Sequence, residues 1–386
     1  MRPRRGNQEG SVYRRTDGRW AAVISEIGGK RRFIYAPTRK EASRKLNAAL
    51  RDQTLGLPTI DGSIKLDAWL DRWLASSKPR LRPSTFARYE GLVRTHLKPA
   101  LGHLKLAVLT PDHVEEFLRR KLGEGAAPAS VHYMRGTLRT ALGRAMKRGL
   151  VGRNVAALAD APRQVRREIV PLSAEEIDRF LTRAKGERLY NLYVTMLGCG
   201  LRRGEALGLR WRDVNIERRE LSIQQAMQRV DGSIRAVELK TVRSRRVLPI
   251  ASVVVNALRT QFVQQQADRS TAAGAWEEHG LVFTTGRGTP LDGTNVLRDF
   301  KRVLKECEIA TRRIHDLRHS CATLLLIQGV PARVVMEMLG HSTIKLTMDT
   351  YSHVIPSLEK EAATRLDEFF SQRGQRSRLA TKQTSV

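Results

Sequence analysis

Four side chains between Ile314 and Val354 have the right chemistry to handle a phosphate. The stretch reads IHDLRHSCATLLLIQGVPARVVMEMLGHSTIKLTMDTYSHV and carries His315, Arg318, His341 and Tyr351. A guanidinium holds non-bridging oxygens in a planar fork. Imidazoles move protons near neutral pH. A tyrosine hydroxyl can be a nucleophile, but its ordinary pKa near ~10 demands a base and a positive field. No one of these residues is diagnostic. Chance alone supplies about 1.6 His-x-x-[Lys/Arg] pairs in a chain with 9 His and 69 Lys+Arg, so the pair His315–Arg318 decides nothing by itself. What carries weight is the ordered set. Upstream it includes Arg202, after a Gly-rich break in TMLGCGLRRGEALGLRWRDV, and Lys240, at a turn between strand-like runs.

These residues must be positioned by local structure. Asp316 to Ile327 has a broad apolar stripe, predicting a buried helix that Gly329 ends. Pro331 opens a second helix and Gly340 closes it, which leaves His341 at a junction. Ser342 is read as the cap of a third helix, with Tyr351 near its end. Arg202 opens a helix whose N-terminus favours an anion, with Glu205 bracing it. Leu172-Ser173-Ala174-Glu175-Glu176-Ile177 is a capping box (Ser173, Glu176) with a hydrophobic staple. Residues 220–250 read as strands, with Asp231-Gly232 as one turn and Lys240 at the tip of the next. Residues 265–280 read as a polar connection. The helix of Val296, Phe300, Val303 and Leu304 follows.

The chain has 386 residues, a net charge of +30 and a pI near 11. Two or three domains are expected, and nucleic acid leads the possible partners. A membrane is not expected: no apolar run approaches the ~18 residues a span needs, and the N-terminus lacks a signal-peptide core. Cys199, Cys307 and Cys321 form no C-x-x-C pair and read as reduced thiols of a cytoplasmic protein. No compact metal-ligand spacing is present.

Residues 1–60 carry a net +9 and read as three short strands and a helix, with Thr38 and Glu41 as a capping box. An exposed basic sheet face suits a DNA groove. Residues 64–160 read as four helices, the second capped by Ser84, the third opened by Thr110-Pro111 and the fourth started by Ser130. Residues 61–165 carry a net +10, and Lys78, Arg80, Arg82, Arg88 and Arg135 are candidate phosphate contacts. The expected organisation is 1–55, linker 56–63, 64–160, linker 161–171, 172–370, and a disordered basic tail over 371–386. The fold class is multidomain and mainly α: a three-stranded sheet plus helix, a four-helix domain, and an α+β domain with a small sheet.

Taken in order, Arg202, Lys240, His315, Arg318, His341 and Tyr351 resemble the active-site set of the tyrosine recombinase (phage integrase) family. GLRRGEALGLRWRDV, LKTVRSRRVLPI, HDLRHSCATLLL and LGHSTIKLTMDTYSHV are similar to its boxes. The likeness is close over 172–356 and weaker over 64–160, which resembles the helical core-binding domain. Residues 1–55 resemble the arm-binding domains of integrases of phages and mobile elements. The resemblance implies a site-specific recombinase that integrates and excises a mobile element through a 3′-phosphotyrosyl intermediate on Tyr351. It implies that Arg202 and Arg318 hold the phosphate, Lys240 protonates the departing 5′ oxygen, His315 assists proton transfer and His341 hydrogen-bonds the phosphate. Two arginines and a lysine supply positive charge, so neither metal nor cofactor is called for. The implied partners are double-stranded DNA with core-type and arm-type sites, sister subunits in a homotetramer on DNA, a DNA-bending host factor and a directionality factor. The alternatives are a Xer-like chromosome resolvase and a catalytically inactive DNA-binding regulator. Residues 358–370, with Leu358, Ala362, Leu366 and Phe369 along one side, are expected to pack on a neighbouring subunit.

Overall fold

The computed structural model describes residues 10–25, 31–54, 63–162, 170–230, 232–239, 244–340 and 363–364. It divides into two units, 1–166 and 167–386. The expected third helix after Ser342, the apolar stripe over 358–370 and the basic tail lie outside the described residues.

The first unit begins with an antiparallel sheet of β1 (Ser11–Arg14), β2 (Trp20–Ser25) and β3 (Arg31–Ala36) in the order β1-β2-β3. Helix α1 (Arg39–Thr54) packs on one face, burying Ala22, Ile24, Ala36, Ala42 and Leu46. Thr38 accepts from the backbone N–H of Glu41 at the start of that helix. Alternation along the strands sends Phe33 and Tyr35 to the opposite face, where they stay exposed. The register aligns Tyr13, Ala21 and Tyr35 across that face, and Arg15 donates to the Tyr35 hydroxyl at 3.0 Å.

The helical part contains α2 (Leu66–Ser77), α3 (Pro83–Leu92), α4 (Lys98–Leu101), α5 (Pro111–Gly123), α6 (Pro128–Lys147) and α7 (Val155–Leu158). A π turn over Val93–Leu97 carries α3 directly into α4. Trp69, Leu70, Trp73, Phe117, Leu118, Met134, Leu138 and Leu142 form the core. Thr110 caps α5 as expected, with His113 completing the box. Two other helix starts differ from expectation. Pro83 and Pro128 open α3 and α6, so Ser84 and Ser130 lie inside their first turns. Proline has no N–H to satisfy and a preset φ, which suits it to that place better than a serine cap one or two residues later. Met146, expected on the inward stripe of α6, is exposed.

The second unit contains α8 (Ala174–Ala184), α9 (Tyr190–Cys199), α10 (Arg203–Leu207), β4 (Val214–Asn215), β5 (Glu220–Ile223), β6 (Gln225–Val230), β7 (Ser233–Glu238) and β8 (Arg246–Pro249). They are followed by α11 (Ser252–Ala272), α12 (Gly293–Glu306), α13 (Asp316–Ile327) and α14 (Ala332–Leu339). Strands β4, β5 and β8 form one antiparallel sheet, and β6 with β7 forms a hairpin. Helix α9 is apolar on nearly every side and runs through the core, which is where a helix without a polar face must lie. Ser173 and Glu176 cap α8 reciprocally, as expected.

Helix α11 corrects the sequence reading: 265–280 is a polar connection only after Ala272. The stretch lacks an apolar stripe because its inward face carries Gln261 and Gln265, both buried. Gln265 donates to the Leu281 carbonyl and the Thr284 hydroxyl and accepts from the Trp211 indole at 2.6 Å. A fully bonded amide fills a core position that the apolar pattern assigns to leucine. Among the described residues, no helix is long and apolar enough to cross a membrane.

Candidate active site

The described part of the candidate site is assembled around the C-terminus of α14. A helix ends with carbonyls that lack intrahelical partners, and its dipole places partial negative charge there. Three arginines from three different segments meet the last three of these carbonyls. Arg246 on β8 donates from Nε to the Met338 oxygen at 2.7 Å. Arg318 in the first turn of α13 donates to the Leu339 oxygen. Arg202, just before α10, donates to the Gly340 oxygen at 3.4 Å. His341 is the next residue in the chain. Gly340 closes α14 in the left-handed region (φ 64°), a conformation glycine adopts without strain.

Each arginine is held from a second side. Arg318 is 1 % exposed and also donates to the Gly200 oxygen at 2.8 Å. Gly200 ends α9 with φ 59°, where a larger residue is strained, and a Cβ there would stand 2.5 Å from a Leu339 methyl and force it to shift. Arg202 donates to Glu205 at 2.6 Å, and its backbone N–H meets the other carboxylate oxygen at 3.1 Å. Glu205, 2 % exposed, also accepts from Arg246 at 3.0 Å. Burial opposes its ionisation, but Arg246, then Arg202 and Arg318, outweigh that and hold it below the usual carboxylate range. The brace expected between Glu205 and Arg202 is present.

His315 is the residue preceding α13, one turn from Arg318. Its ring meets His319 edge-to-face at 5.0 Å. Burial, then the His319, Arg318 and Arg202 charges, push its pKa down to about 4. Burial likewise depresses His319 to about 4. Both imidazoles are therefore neutral at pH 7 and weaker bases than a free imidazole. A consequence for stability follows. The folded pKa values lie below the unfolded value of 6.5, so between about pH 6.5 and 4 the unfolded chain binds more protons. This stability is fully present above pH 6.5 and is lost as pH falls toward 4. At about 1.4 kcal/mol per pKa unit, the loss is expected to reach a few kcal/mol. Thermal denaturation of the wild type and His319→Gln between pH 7 and 4.5 checks this: the wild-type midpoint should fall and the variant's should fall less. Parallel curves would contradict it.

The structure thus brings Arg202, His315 and Arg318 together. Lys240, His341 and Tyr351 lie outside the described residues. The sequence reading missed Arg246, although β-strand alternation gave a signal: Arg246 shares parity with the inward Leu248, while Val247 between them is exposed. Among the described residues, no group of three or more His, Cys, Asp or Glu is placed to hold a metal ion.

The first unit has a basic groove of about 870 Å³, lined by Arg80, Arg88, Tyr133, Arg139, Arg144 and Lys147 among others. Arg88 stacks over the exposed Tyr133 ring at 4.9 Å. Of the candidate phosphate contacts, Arg80 and Arg88 line this groove. Arg135 instead turns to the Ala157 oxygen at the end of α7.

Comparison with known proteins decides the relationship. Residues 171–357 match the model of the phage integrase family, and residues 65–122 match the phage integrase N-terminal SAM-like domain. The chain belongs to the phage integrase family. It is a tyrosine site-specific recombinase. A XerC-like tyrosine recombinase of Caldanaerobacter subterraneus is 29% identical over 360 residues, covering 88% of this chain and 92% of that one. An integrase of Saccharopolyspora erythraea is 29% identical over 430 residues, covering 96% and 98%. Among solved structures, the Tn1549 transposon integrase in complex with transposon right-end DNA has the same fold. Its TM-score is 0.66 at 20% identity, covering 76% of this chain and 99% of that one. A lambda integrase dimer bound to a COC′ core site gives a TM-score of 0.57 at 20% identity, with 90% and 96% covered. The mainly helical, multidomain class expected from the sequence agrees with these folds.

Proposed function

We propose that this recombinase integrates and excises a mobile element by cutting and rejoining double-stranded DNA through Tyr351. The observation that carries the reading is the convergence of Arg202 and Arg318 on the helix end immediately before His341. Tyr351 Oη attacks the scissile phosphorus and forms the 3′-phosphotyrosyl bond as the bond to the 5′ oxygen breaks. Its proton passes to His315, whose basicity rises when the bound phosphate's negative charge offsets Arg202 and Arg318, and Lys240 gives one to the departing 5′ oxygen. Arg202, Arg318 and His341 hold the phosphate oxygens, where charge develops in the transition state. The phosphotyrosyl bond conserves the backbone linkage for rejoining. Residues 64–160 take the core-type site through their basic groove, residues 1–55 take arm-type sites through the Tyr13–Tyr35 face, and residues 172–370 do the chemistry. The active assembly is a homotetramer on DNA, served by a DNA-bending host factor and a directionality factor.

Covalent trapping tests this. The full chain is mixed, with EDTA present, with a nicked duplex carrying the element's attachment core. A denaturation-resistant protein–DNA adduct is expected. Tight binding with no adduct on that core would reject the covalent route.

A further inference from the structure

Arg246 is a buried arginine to which the proposed chemistry assigns no task. Its side chain is 7 % exposed and that of Glu205 is 2 % exposed. It donates to three groups: Glu205 beside Arg202, the Met338 oxygen at the end of α14 and, two residues back along its own segment, the Ser244 oxygen at 3.1 Å. Ser244 closes the segment that carries Lys240 in sequence. One guanidinium therefore ties Glu205, the partner of Arg202, to the end of α14. A buried arginine is costly to desolvate, and satisfying a helix end alone does not require a full charge. Its fork geometry does matter here, because three acceptors in different directions need a planar donor set that a lysine lacks.

We propose that Arg246 is a positioning residue for strand cleavage, acting through Glu205 on Arg202 and through the Met338 carbonyl on the approach to His341. It does not touch DNA. With Arg246 in place, Glu205 has a second cation and holds Arg202 by one oxygen and its backbone N–H by the other. Without the fork, Glu205 keeps Arg202 as its one close ion pair among the described residues and draws it away from the phosphate. The loss should therefore appear as weaker neutralisation of the scissile phosphate, not as weaker DNA binding.

This inference rests on the recombinase chemistry proposed above, and the experiment separates the two. Full-length wild type, Arg246→Lys and Arg246→Gln are compared in single-turnover adduct formation on the nicked core duplex. Each is run with an ordinary scissile phosphate and with a methylphosphonate there, whose neutral group needs less positive charge. Arg246→Lys is expected to bind the duplex within about 2-fold of wild type and cleave the ordinary phosphate about 100-fold more slowly, the scale of one misplaced transition-state donor. On the methylphosphonate it should return to within about 10-fold of wild type. Cleavage of the ordinary phosphate at the wild-type rate would overturn the proposal. So would a loss that the methylphosphonate leaves unchanged, which is what a purely structural role gives. If Arg246→Lys does not fold, Arg246→Gln, which also lacks the charged fork and keeps Glu205, is read by the same criteria. No adduct from the wild type on either duplex would reject the recombinase chemistry itself and this inference with it.

Discussion

Tyr351→Phe is expected to bind its DNA as tightly as the wild type and to leave no covalent adduct on it. The substitution removes one oxygen. Affinity comes mainly from phosphate contacts by a chain of net charge +30, and that term does not depend on the hydroxyl. Cleavage does depend on it, because the buried thiols and the buried tyrosine packed near the site are poorly suited to replace it. The Cys199 thiol is buried and its pKa pushed up to about 12, first by burial and then by Cys321. That of Cys321 is pushed up to about 11 by burial. The Tyr193 hydroxyl is inside the core, donating to Asp299 at 2.7 Å, and burial raises its pKa. None supplies an accessible anion. The expected loss in adduct formation is on the order of 10⁴-fold or more, as for deletion of a nucleophile in other covalent enzymes. Mobility shift and denaturing gels on the same nicked duplex measure binding and adduct separately. An adduct formed by the phenylalanine variant would move the nucleophile to another residue.

Local signals made part of this site readable from sequence. The apolar stripe and the two glycine breaks placed α13 and α14 where they are found, because a buried helix and a left-handed terminus each have strict residue requirements. The same applies to Ser173-x-x-Glu176, whose reciprocal hydrogen bonds are local. Failures came where long-range polar contacts replaced apolar ones. Gln261 and Gln265 disguised the inward face of α11, since nothing in the sequence shows that Trp211 and the Leu281 carbonyl are within reach. Arg246 looked like one more basic residue in a basic chain, because two of its three acceptors, Glu205 and the Met338 carbonyl, lie on distant segments. Arg318 was legible as a phosphate-type arginine, but its depth was not. That depth arises from two carbonyls, Gly200 and Leu339, that come together only when α9, α13 and α14 pack.

That depth makes Arg318→Ala the other large prediction, and it should cost folding as well as cleavage. The side chain is 1 % exposed and ties the end of α9 to the end of α14. Alanine leaves two buried carbonyls short of a donor, at about 1–3 kcal/mol each, and opens a cavity beside Leu339 and Cys321. It also removes one of the cations that keep Glu205 ionised. A total of about 3–5 kcal/mol is expected, comparable with breaking a buried ion pair. For a unit of this size that corresponds to a fall in Tm of about 10 °C. Arg318→Lys should recover part of the charge but not the link, since one ammonium is not a fork that spans two carbonyls in different directions. Both variants should lose about 10²–10³-fold in adduct formation at temperatures where they remain folded. Thermal denaturation and single-turnover trapping at 20 °C separate the two losses. A variant that cleaves poorly but melts with the wild type would show that Arg318 does not hold α9 to α14. One that melts early but cleaves at the wild-type rate would remove Arg318 from the phosphate site.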